Sequence, residues 1–292
     1  MLIKPACPNT FLALICSHKK WRLVTENSAV HNPIIDFHAH IYPEKIAVKA
    51  SESVGMFYDA PVRNHGLASE LLERGSVIGV EKFCVYSVAT KPEQVSSIND
   101  FIVEAVKREP KFIGFASVHP EQNDILEEIE RAKNLGLKGI KLHPDFQKFP
   151  ADISSLDEAY ELMAALNLIL IIHAGDERYS YSNPDKIAKI LHKHPRLKIV
   201  APHFGGYTEW DDVLRYLAGK DLWFDTSSSL WKLPVEKAKK IIEVHGYERF
   251  LFGTDFPMWN HDEELRSFLN LGLSDASNNA ILYGNAKKLL GL

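Results

Sequence analysis

Short apolar runs alternate with amphipathic stretches along the chain from Ile34 onward. Most of these runs are continuously apolar, which is typical of strands that are buried on both faces. Strand and helix patterns that alternate in this way predict repeated βαβ units around a parallel sheet. The eight predicted strands are Ile34–His38, Phe83–Val88, Phe112–Ser117, Gly139–Leu142, Leu168–His173, Lys198–Pro202, Trp223–Asp225 and Phe250–Gly253.

Helical patterns separate several of the predicted strands. In the segment Ile125–Asn134, the apolar residues Ile125, Ile129 and Ala132 fall on one stripe and the charged residues fall largely on the other. Gly136 then predicts the end of this helix. The other predicted helices are Leu156–Leu166, Pro184–His192, Trp210–Leu217, Val235–Val244 and Ala276–Leu290.

Eight buried strands with intervening helices predict a single α/β domain, a closed (β/α)8 TIM barrel over residues 34–292. An open, doubly wound sheet is the alternative, but the GxGxxG motif that such sheets often carry is absent. Residues 1–33 are predicted to be an N-terminal extension that is poorly ordered or loosely packed. The apolar run Thr10–Cys16 within it lacks a convincing cleavage site, and it is shorter than the roughly 20 residues that a membrane span needs.

Composition narrows the function classes. The formal net charge is −4, and no basic stripe of the kind that nucleic-acid-binding proteins carry is present. The three cysteines lie far apart and form no CxxC pair, which is typical of a protein from a reducing compartment. We therefore expect a cytoplasmic protein with a small-molecule substrate, and neither a nucleic acid nor a membrane as a partner.

Ligand-type residues follow the predicted strands at the end where barrel enzymes place their chemistry. They are His38 and His40 in the first unit, His143, His173 and His203 after strands four to six, and Asp255 after strand eight. Side chains alternate along a strand, so His38 and His40 point to the same side. A single histidine in such a run is as readily a hydrogen-bonded core residue, but the set together predicts a site for Zn²⁺, Fe²⁺ or Mn²⁺.

The strings IIDFHAH, GIKLHPDF, LILIIHAGDE, IVAPHFGG and FLFGTDFP resemble, in order, the motifs of the amidohydrolase-related family. This family includes enzymes similar to aminocarboxymuconate semialdehyde decarboxylase and resorcylate decarboxylase, besides lactone hydrolases. The resemblance covers the chain from about Ile34 to its C-terminus. It implies one divalent metal ion bound by His38, His40, His173 and Asp255, with zinc preferred over manganese or iron, and an acid–base or polarising role for His203.

The preferred function is a metal-dependent hydrolase that attacks a small carboxylated, cyclic or amide-like substrate through a metal-activated water. Asp255 is the catalytic residue predicted to accept a proton from that water, and His203 is the one predicted to polarise the carbonyl or protonate the leaving group. The alternative is a metal-dependent, non-oxidative decarboxylase of a small or aromatic carboxylic acid, in which Asp255 or His203 protonates carbon. The motifs do not separate these two reactions.

Substrate contacts are predicted from position alone. His143, Arg178 and Arg63 are the candidates, since a guanidinium at the barrel mouth binds a carboxylate in a bidentate manner. A solvated arginine is the commoner outcome. Lys141 precedes His143 by two residues, so it faces the same side one layer deeper; we expect it to be a structural or electrostatic group rather than a carboxylated bridge between two metals.

Two further function classes rank lower. A TatD-like nuclease normally needs a carboxylate ligand on strand four, where this chain has Lys141 and His143. A catalytically silent barrel that serves as a scaffold is disfavoured by the complete ligand set. The family resemblance also makes a homodimer plausible, although no feature of the sequence demonstrates one.

Overall fold

The computed structural model describes residues 13–17, 20–24 and 33–292, and the chain divides into two units, Met1–Asn32 and Pro33–Leu292. In the first unit, Ala13–Ser17 and Lys20–Val24 form an antiparallel pair with Ala13 opposite Val24. The sequence patterns did not predict this pair. The prediction that residues 1–33 are poorly ordered falls mostly on residues outside the described ranges.

The second unit contains the eight predicted strands, in the predicted order. Seven of them are single ranges in the structure, the third strand consists of two consecutive segments, and the first contains a bulge. The strands are β1 (Ile34–His40), β2 (Val80–Tyr86), β3 (Phe112–Gly114 continued by Ala116–Ser117), β4 (Gly139–Leu142), β5 (Ile169–Ile172), β6 (Lys198–Ala201), β7 (Trp223–Asp225) and β8 (Phe250–Leu251).

Every neighbouring pair of these strands is parallel, and the ring closes between β8 and β1. The first segment of β3 pairs with β2 and its second segment pairs with β4, so β3 joins a three-stranded and a six-stranded sheet. The Phe37 amide donates to the Phe252 carbonyl at 2.8 Å, and the His40 amide donates to the Phe256 carbonyl at 2.7 Å. These bonds confirm the predicted TIM barrel, because they connect the last strand with the first.

Helices surround the barrel, and the described helices include several that the sequence patterns did not predict. Those that match a prediction are α4 (Ile125–Asn134), α6 (Asp157–Ala165), α7 (Pro184–Lys193), α8 (Trp210–Tyr216) and α9 (Val235–His245). The additional ones are α1 (Glu44–Tyr58), α2 (Ala68–Ser76), α3 (Val95–Arg108), the short α5 (Pro144–Gln147) and α10 (His261–Leu269). The predicted terminal helix consists of α11 (Asp275–Asn279), a π-helical turn (Ala280–Gly284) and α12 (Asn285–Leu290).

Apolar side chains fill the barrel below its mouth. Ile35, Phe37, Tyr86 and Phe115 belong to one buried cluster inside the ring of strands. Leu289 of α12 belongs to the same cluster, so the C-terminal helix contributes to the core at the amino ends of the strands. No helix in the described ranges is long and apolar enough to cross a bilayer.

Candidate metal centre and active site

A bulge in β1 brings the first two histidines to the barrel mouth. Asp36 lies opposite Phe83 of β2, but Ala39 lies opposite Val85, so β1 has one extra residue in this interval. Such a bulge changes which residues face inward. Phe37 therefore packs in the barrel interior, while His38 and His40, two residues apart as predicted, both line the cavity at the mouth.

His38, His40 and Asp255 place three ligand atoms close together. Asp255 Oδ1 lies 3.2 Å from His38 Nε2 and 3.6 Å from His40 Nε2. Asp255 Oδ2 accepts a hydrogen bond from Ser228 Oγ at 2.5 Å. Two imidazole nitrogens and a carboxylate oxygen form a donor set that suits Zn²⁺, Mn²⁺ or Fe²⁺, and three protein ligands leave a coordination position open. The residues present therefore fit a catalytic divalent metal.

Asp225, at the end of β7, orients the ring of His38 by a hydrogen bond on the side away from Asp255. Its Oδ2 accepts a hydrogen bond from His38 Nδ1 at 2.8 Å, which leaves His38 Nε2 free to face Asp255. Its Oδ1 accepts from the amides of His203 and Ser227, both at 3.0 Å. A carboxylate on the second nitrogen of a metal-binding histidine fixes its tautomer and raises its basicity.

Electrostatics keep both aspartates ionised in the described protein. Burial alone would raise the pKa of Asp255, but the charge of His38 and its hydrogen bond hold this pKa well below its usual range. The pKa of Asp225 is also held well below its usual range: burial opposes this, and the charge and hydrogen bond of His38 outweigh it. Two carboxylates that stay charged among imidazoles, one fully buried and one largely buried, favour a cation at this place.

His173 contacts His203 and does not contact the ligand group formed by His38, His40 and Asp255. His203 Nε2 lies 3.2 Å from His173 Nδ1, and His173 Nε2 lies 2.9 Å from the Gly175 carbonyl. His173 therefore lines the same cavity but lies outside the close group formed by the other three predicted ligands. Burial lowers the pKa of His203 to about 4, so its imidazole is neutral at neutral pH.

Strained backbone marks the mouth of the barrel. His203, Ser228 and Asp255 have φ angles of 61°, 45° and 58°. Residues other than glycine adopt this left-handed region at a cost of about 1–3 kcal/mol each. All three residues lie in the hydrogen-bonded network around the ligand group, so part of the backbone strain of the described residues is located at the candidate site.

A cavity of about 650 Å³ opens above the ligand group. Its wall includes Phe57, Tyr58 and Phe146. His143 also lines it, as predicted: its ring stacks between Phe146 and His173, with centroids 3.7 Å and 3.9 Å away, and its Nε2 lies 3.0 Å from the Tyr58 hydroxyl. The volume and the aromatic wall suit a small, flat organic molecule.

Lys141 is the buried cation of this cavity. Its side chain is fully buried, lines the cavity, and has Nζ 5.0 Å from the centroid of the Tyr86 ring. Burial lowers the pKa of Lys141 to about 8, while Asp255 and Asp225 oppose the shift, so the protonated amine predominates at neutral pH.

The two predicted substrate arginines lie away from the cavity lining. Arg178 Nη2 donates to Asp176 Oδ2 at 2.7 Å, and its Nη1 donates to the Phe57 carbonyl at 2.6 Å. Its guanidinium thus connects the end of α1 with the segment after β5. Arg63 is exposed, 3.8 Å from Glu263. Both side chains already have protein partners, so neither is positioned as the predicted carboxylate receptor.

Several site residues were not predicted from the sequence. Asp225 ends a predicted strand, so the same strand-end criterion that selected His173 would have selected it. Ser227 and Ser228 follow directly in the string DTSSS. Tyr58 lies at the end of α1, and no local pattern in the sequence connects it with His143.

The described residues contain two further groups of potential ligands. One consists of His38, His203 and Asp225, but His38 engages Asp225 through Nδ1 and Asp255 through Nε2, so this group is the hydrogen-bonded support of the first. The other consists of His143, Asp145 and His173. Asp145 Oδ2 accepts from Ser182 Oγ at 2.5 Å.

Solved structures with the same fold include both decarboxylases and hydrolases. The 5-carboxyvanillate decarboxylase of Sphingomonas paucimobilis superimposes with a TM-score of 0.71 at 15% identity, covering 89% of this chain and 99% of that one. A dihydroxybenzoic acid decarboxylase of Polaromonas sp., solved with manganese and 2-nitroresorcinol, gives 0.68 at 20% identity, with 89% and 97% covered. A probable 2-pyrone-4,6-dicarboxylic acid hydrolase of Acinetobacter baumannii gives 0.67 at 16% identity, with 89% and 99% covered.

Sequence comparison is informative at the level of the family. No curated protein is significantly similar to the chain. The model of the amidohydrolase family, however, matches residues 35–292, which is nearly the whole barrel. This match agrees with the motif resemblance, the eight-stranded barrel and the largely buried histidine–aspartate group. The chain therefore belongs to the amidohydrolase family.

Proposed function

We propose that the protein is a metal-dependent, non-oxidative decarboxylase of a small aromatic carboxylic acid. The observation that carries this proposal is a largely buried carboxyl group, Asp255, beneath a cavity with an aromatic wall. Decarboxylation turns a charged carboxylate into neutral carbon dioxide, so the localised charge of the carboxylate is lost during the reaction. A cavity wall of Phe57, Tyr58 and Phe146 excludes water and suits such a loss of localised charge. The decarboxylases among the similar structures also support it.

Each residue of the site has a role in this reaction. A divalent ion bound by His38, His40 and Asp255 would orient the substrate's oxygens and neutralise part of their charge. Asp255, ionised in the free protein, takes up a proton from the solvent and delivers it to the ring carbon that loses carbon dioxide, while Ser228 holds its second oxygen. His203, neutral at neutral pH, hydrogen-bonds a substrate oxygen, while Asp225 holds His38 in place.

Carbon dioxide release from a panel of aromatic acids tests the proposal. The manganese-loaded protein is incubated in D₂O with 2,6-dihydroxybenzoate, 5-carboxyvanillate and simpler hydroxybenzoates. We expect carbon dioxide from at least one acid, with deuterium at the vacated carbon. Replacement of Asp255 by Asn should lower the rate about 10²–10⁴-fold. Asp221→Asn, which changes an exposed carboxylate, is the matched control. Absence of carbon dioxide from the whole panel would count against the decarboxylase.

Hydrolysis, the reaction preferred from the sequence, is the second candidate. The similar barrel of the probable pyrone dicarboxylic acid hydrolase supports it. In this reaction Asp255 accepts a proton from water instead of delivering one to carbon. Incubation with 2-pyrone-4,6-dicarboxylate distinguishes the reactions, because hydrolysis yields a ring-opened product without carbon dioxide. Zinc as the resident metal and a homodimeric assembly both stay predictions.

A further inference from the structure

Lys141 lies below the ligand group without a polar partner. It belongs to β4 and precedes His143 by two residues, so both face the barrel interior. Its side chain is fully buried, and Nζ makes no hydrogen bond. Within the described part of the chain, no carboxylate oxygen lies within 4.0 Å of it.

The nearby acidic groups are engaged elsewhere. Asp225 accepts from His38 and from backbone amides, while Asp255 faces His38, His40 and Ser228. Both act on Lys141 only through space. A buried cation without a partner is among the costliest groups that a protein retains, and a buried unsatisfied donor requires an explanation. An anion that enters the cavity would supply the missing partner.

We propose that Lys141 binds an anionic group of the substrate, a carboxylate or a phenolate, and so makes the site selective for acids over neutral analogues. The four-carbon stem of lysine lets Nζ turn toward a ligand seated above it. Exposed Lys45, Lys49 and Lys148 line the same cavity and would attract anions to its entrance. The proposal rests on the proposed function for the aromatic nature of the substrate.

Equilibrium binding of benzoate and of its neutral analogue benzamide tests this role. The manganese-loaded full chain is titrated calorimetrically as wild type, as Lys141→Met and as Lys138→Met. Lys138 lies on the same segment but is exposed, so it is the matched control. We expect the wild type and Lys138→Met to prefer benzoate by tenfold or more, since hydrogen bonds between charged groups are the strong ones. Lys141→Met should lower this preference about fivefold or more at an unchanged metal content, and the bound metal, which also favours an anion, accounts for the remainder.

Three results would overturn the proposal. One is an undiminished preference for benzoate in Lys141→Met, and another is two metal ions per wild-type chain with one lost in the variant, which would make Lys141 a metal-bridging group. The third is failure to fold of both Lys141→Met and Lys141→Gln, because loss of an unpaired buried charge should not unfold the protein.

The anion-site proposal and the decarboxylase proposal can be rejected independently of each other. A preference for benzoate that depends on Lys141, without carbon dioxide from any acid, would retain the anion site and reject the decarboxylase. Decarboxylation that proceeds equally in Lys141→Met would retain the decarboxylase and reject the anion site. The two proposals are therefore distinguished by the same set of variants.

Discussion

Asp225 decides which nitrogen of His38 faces the cavity. Its carboxylate accepts from Nδ1 at 2.8 Å, so Nε2 is presented toward Asp255. Replacement of Asp225 by Asn retains the size of the side chain but removes its negative charge. We expect metal affinity to fall about 10–100-fold, the usual cost of removing such a supporting partner. Metal affinity measured by competition with a chelator checks this.

The matched control for that variant is Asp221→Asn, since Asp221 is an exposed carboxylate paired with Arg249 at 3.3 Å. Its metal affinity should equal that of the wild type. An unchanged affinity in Asp225→Asn would mean that Asp225 serves only the local backbone through its bonds to the amides of His203 and Ser227.

The sequence predicts which residues come to the mouth better than it predicts what each contacts. The spacing of His38 and His40 and the strand-end position of Asp255 were sufficient to predict that these three residues lie close together. The arginines show the opposite case. Arg178 is close to the mouth along the chain, but the buried carboxylate of Asp176 binds its guanidinium. This ion pair forms because Asp176 is buried, and a local sequence pattern does not show whether a given carboxylate is buried.

At the scale of elements, Arg178 holds the end of α1 against the segment that follows β5. It donates to the Phe57 carbonyl and to the buried carboxylate of Asp176. Replacement of Arg178 by Met should loosen the last turn of α1, because that carbonyl loses its charged donor. We expect amide hydrogen exchange at Ala60, which donates to Gly55, to become about tenfold faster or more, measured by mass spectrometry.

Arg196→Met is the control for the α1 experiment, since Arg196 is largely exposed and its pair with Glu161 is long, at 3.5 Å. It should leave exchange in α1 unchanged. Equal exchange in Arg178→Met and the wild type would indicate that the ring contacts of Phe57 with Phe146 and Tyr179 hold α1 by themselves.

His245 connects the end of α9 with the chain around β7. Its Nδ1 accepts from the Gly219 amide at 3.2 Å, its Nε2 donates to the Leu222 carbonyl at 3.0 Å, and its ring stacks on Phe224. Burial lowers the pKa of His245 to about 4, so the folded protein holds it neutral. An unfolded chain protonates it below about pH 6.5. Its contribution to the free energy of unfolding is therefore present above pH 6.5 and lost as the pH falls toward 4.

Replacement of His245 by Gln, which keeps a donor and an acceptor, should remove this pH dependence. The difference in free energy of unfolding between wild type and variant should shrink by about 2–3 kcal/mol from pH 7 to pH 4, measured by urea titration at several pH values. His192→Gln, on the exposed side of α7, provides the control. A difference that stays constant with pH would mean that His245 is not held neutral by the fold.

Helix α1 was missed for a physical reason. The segment between β1 and β2 contains two helices where one is expected, and α1 buries little of its surface. The residues that α1 buries are Ala47, Ser51 and Gly55, which are small or polar, so apolar periodicity does not reveal this helix. The strands were recovered because burial on both faces makes them continuously apolar.

At the scale of the whole molecule, the number and order of strands follow from the sequence, and the closure of the barrel was predicted from eight buried strands with intervening helices in a chain of this length. The bulge in β1 is a different matter. It depends on which residues of β2 lie opposite Asp36 and Ala39. The pairing of the two strands determines this register, and the sequence of one strand alone does not. The bulge nevertheless places the two histidines over the closed core, so a detail of sheet register positions the metal ligands.

The candidate metal site joins the first and last units of the barrel, because His38 and His40 lie at the end of β1 while Asp255 follows β8. An ion there links the two strands whose pairing closes the ring. We expect one divalent metal per chain by elemental mass spectrometry, and its removal by chelation should lower stability. A ligand at a hundred times its Kd contributes about 2.7 kcal/mol, which for a domain of this size lowers Tm by about 5–10 °C on removal. The double variant His38→Ala/His40→Ala should lack the metal and show no Tm response to chelator. Equal Tm with and without metal would mean that β1 and β8 are held by their backbone bonds alone.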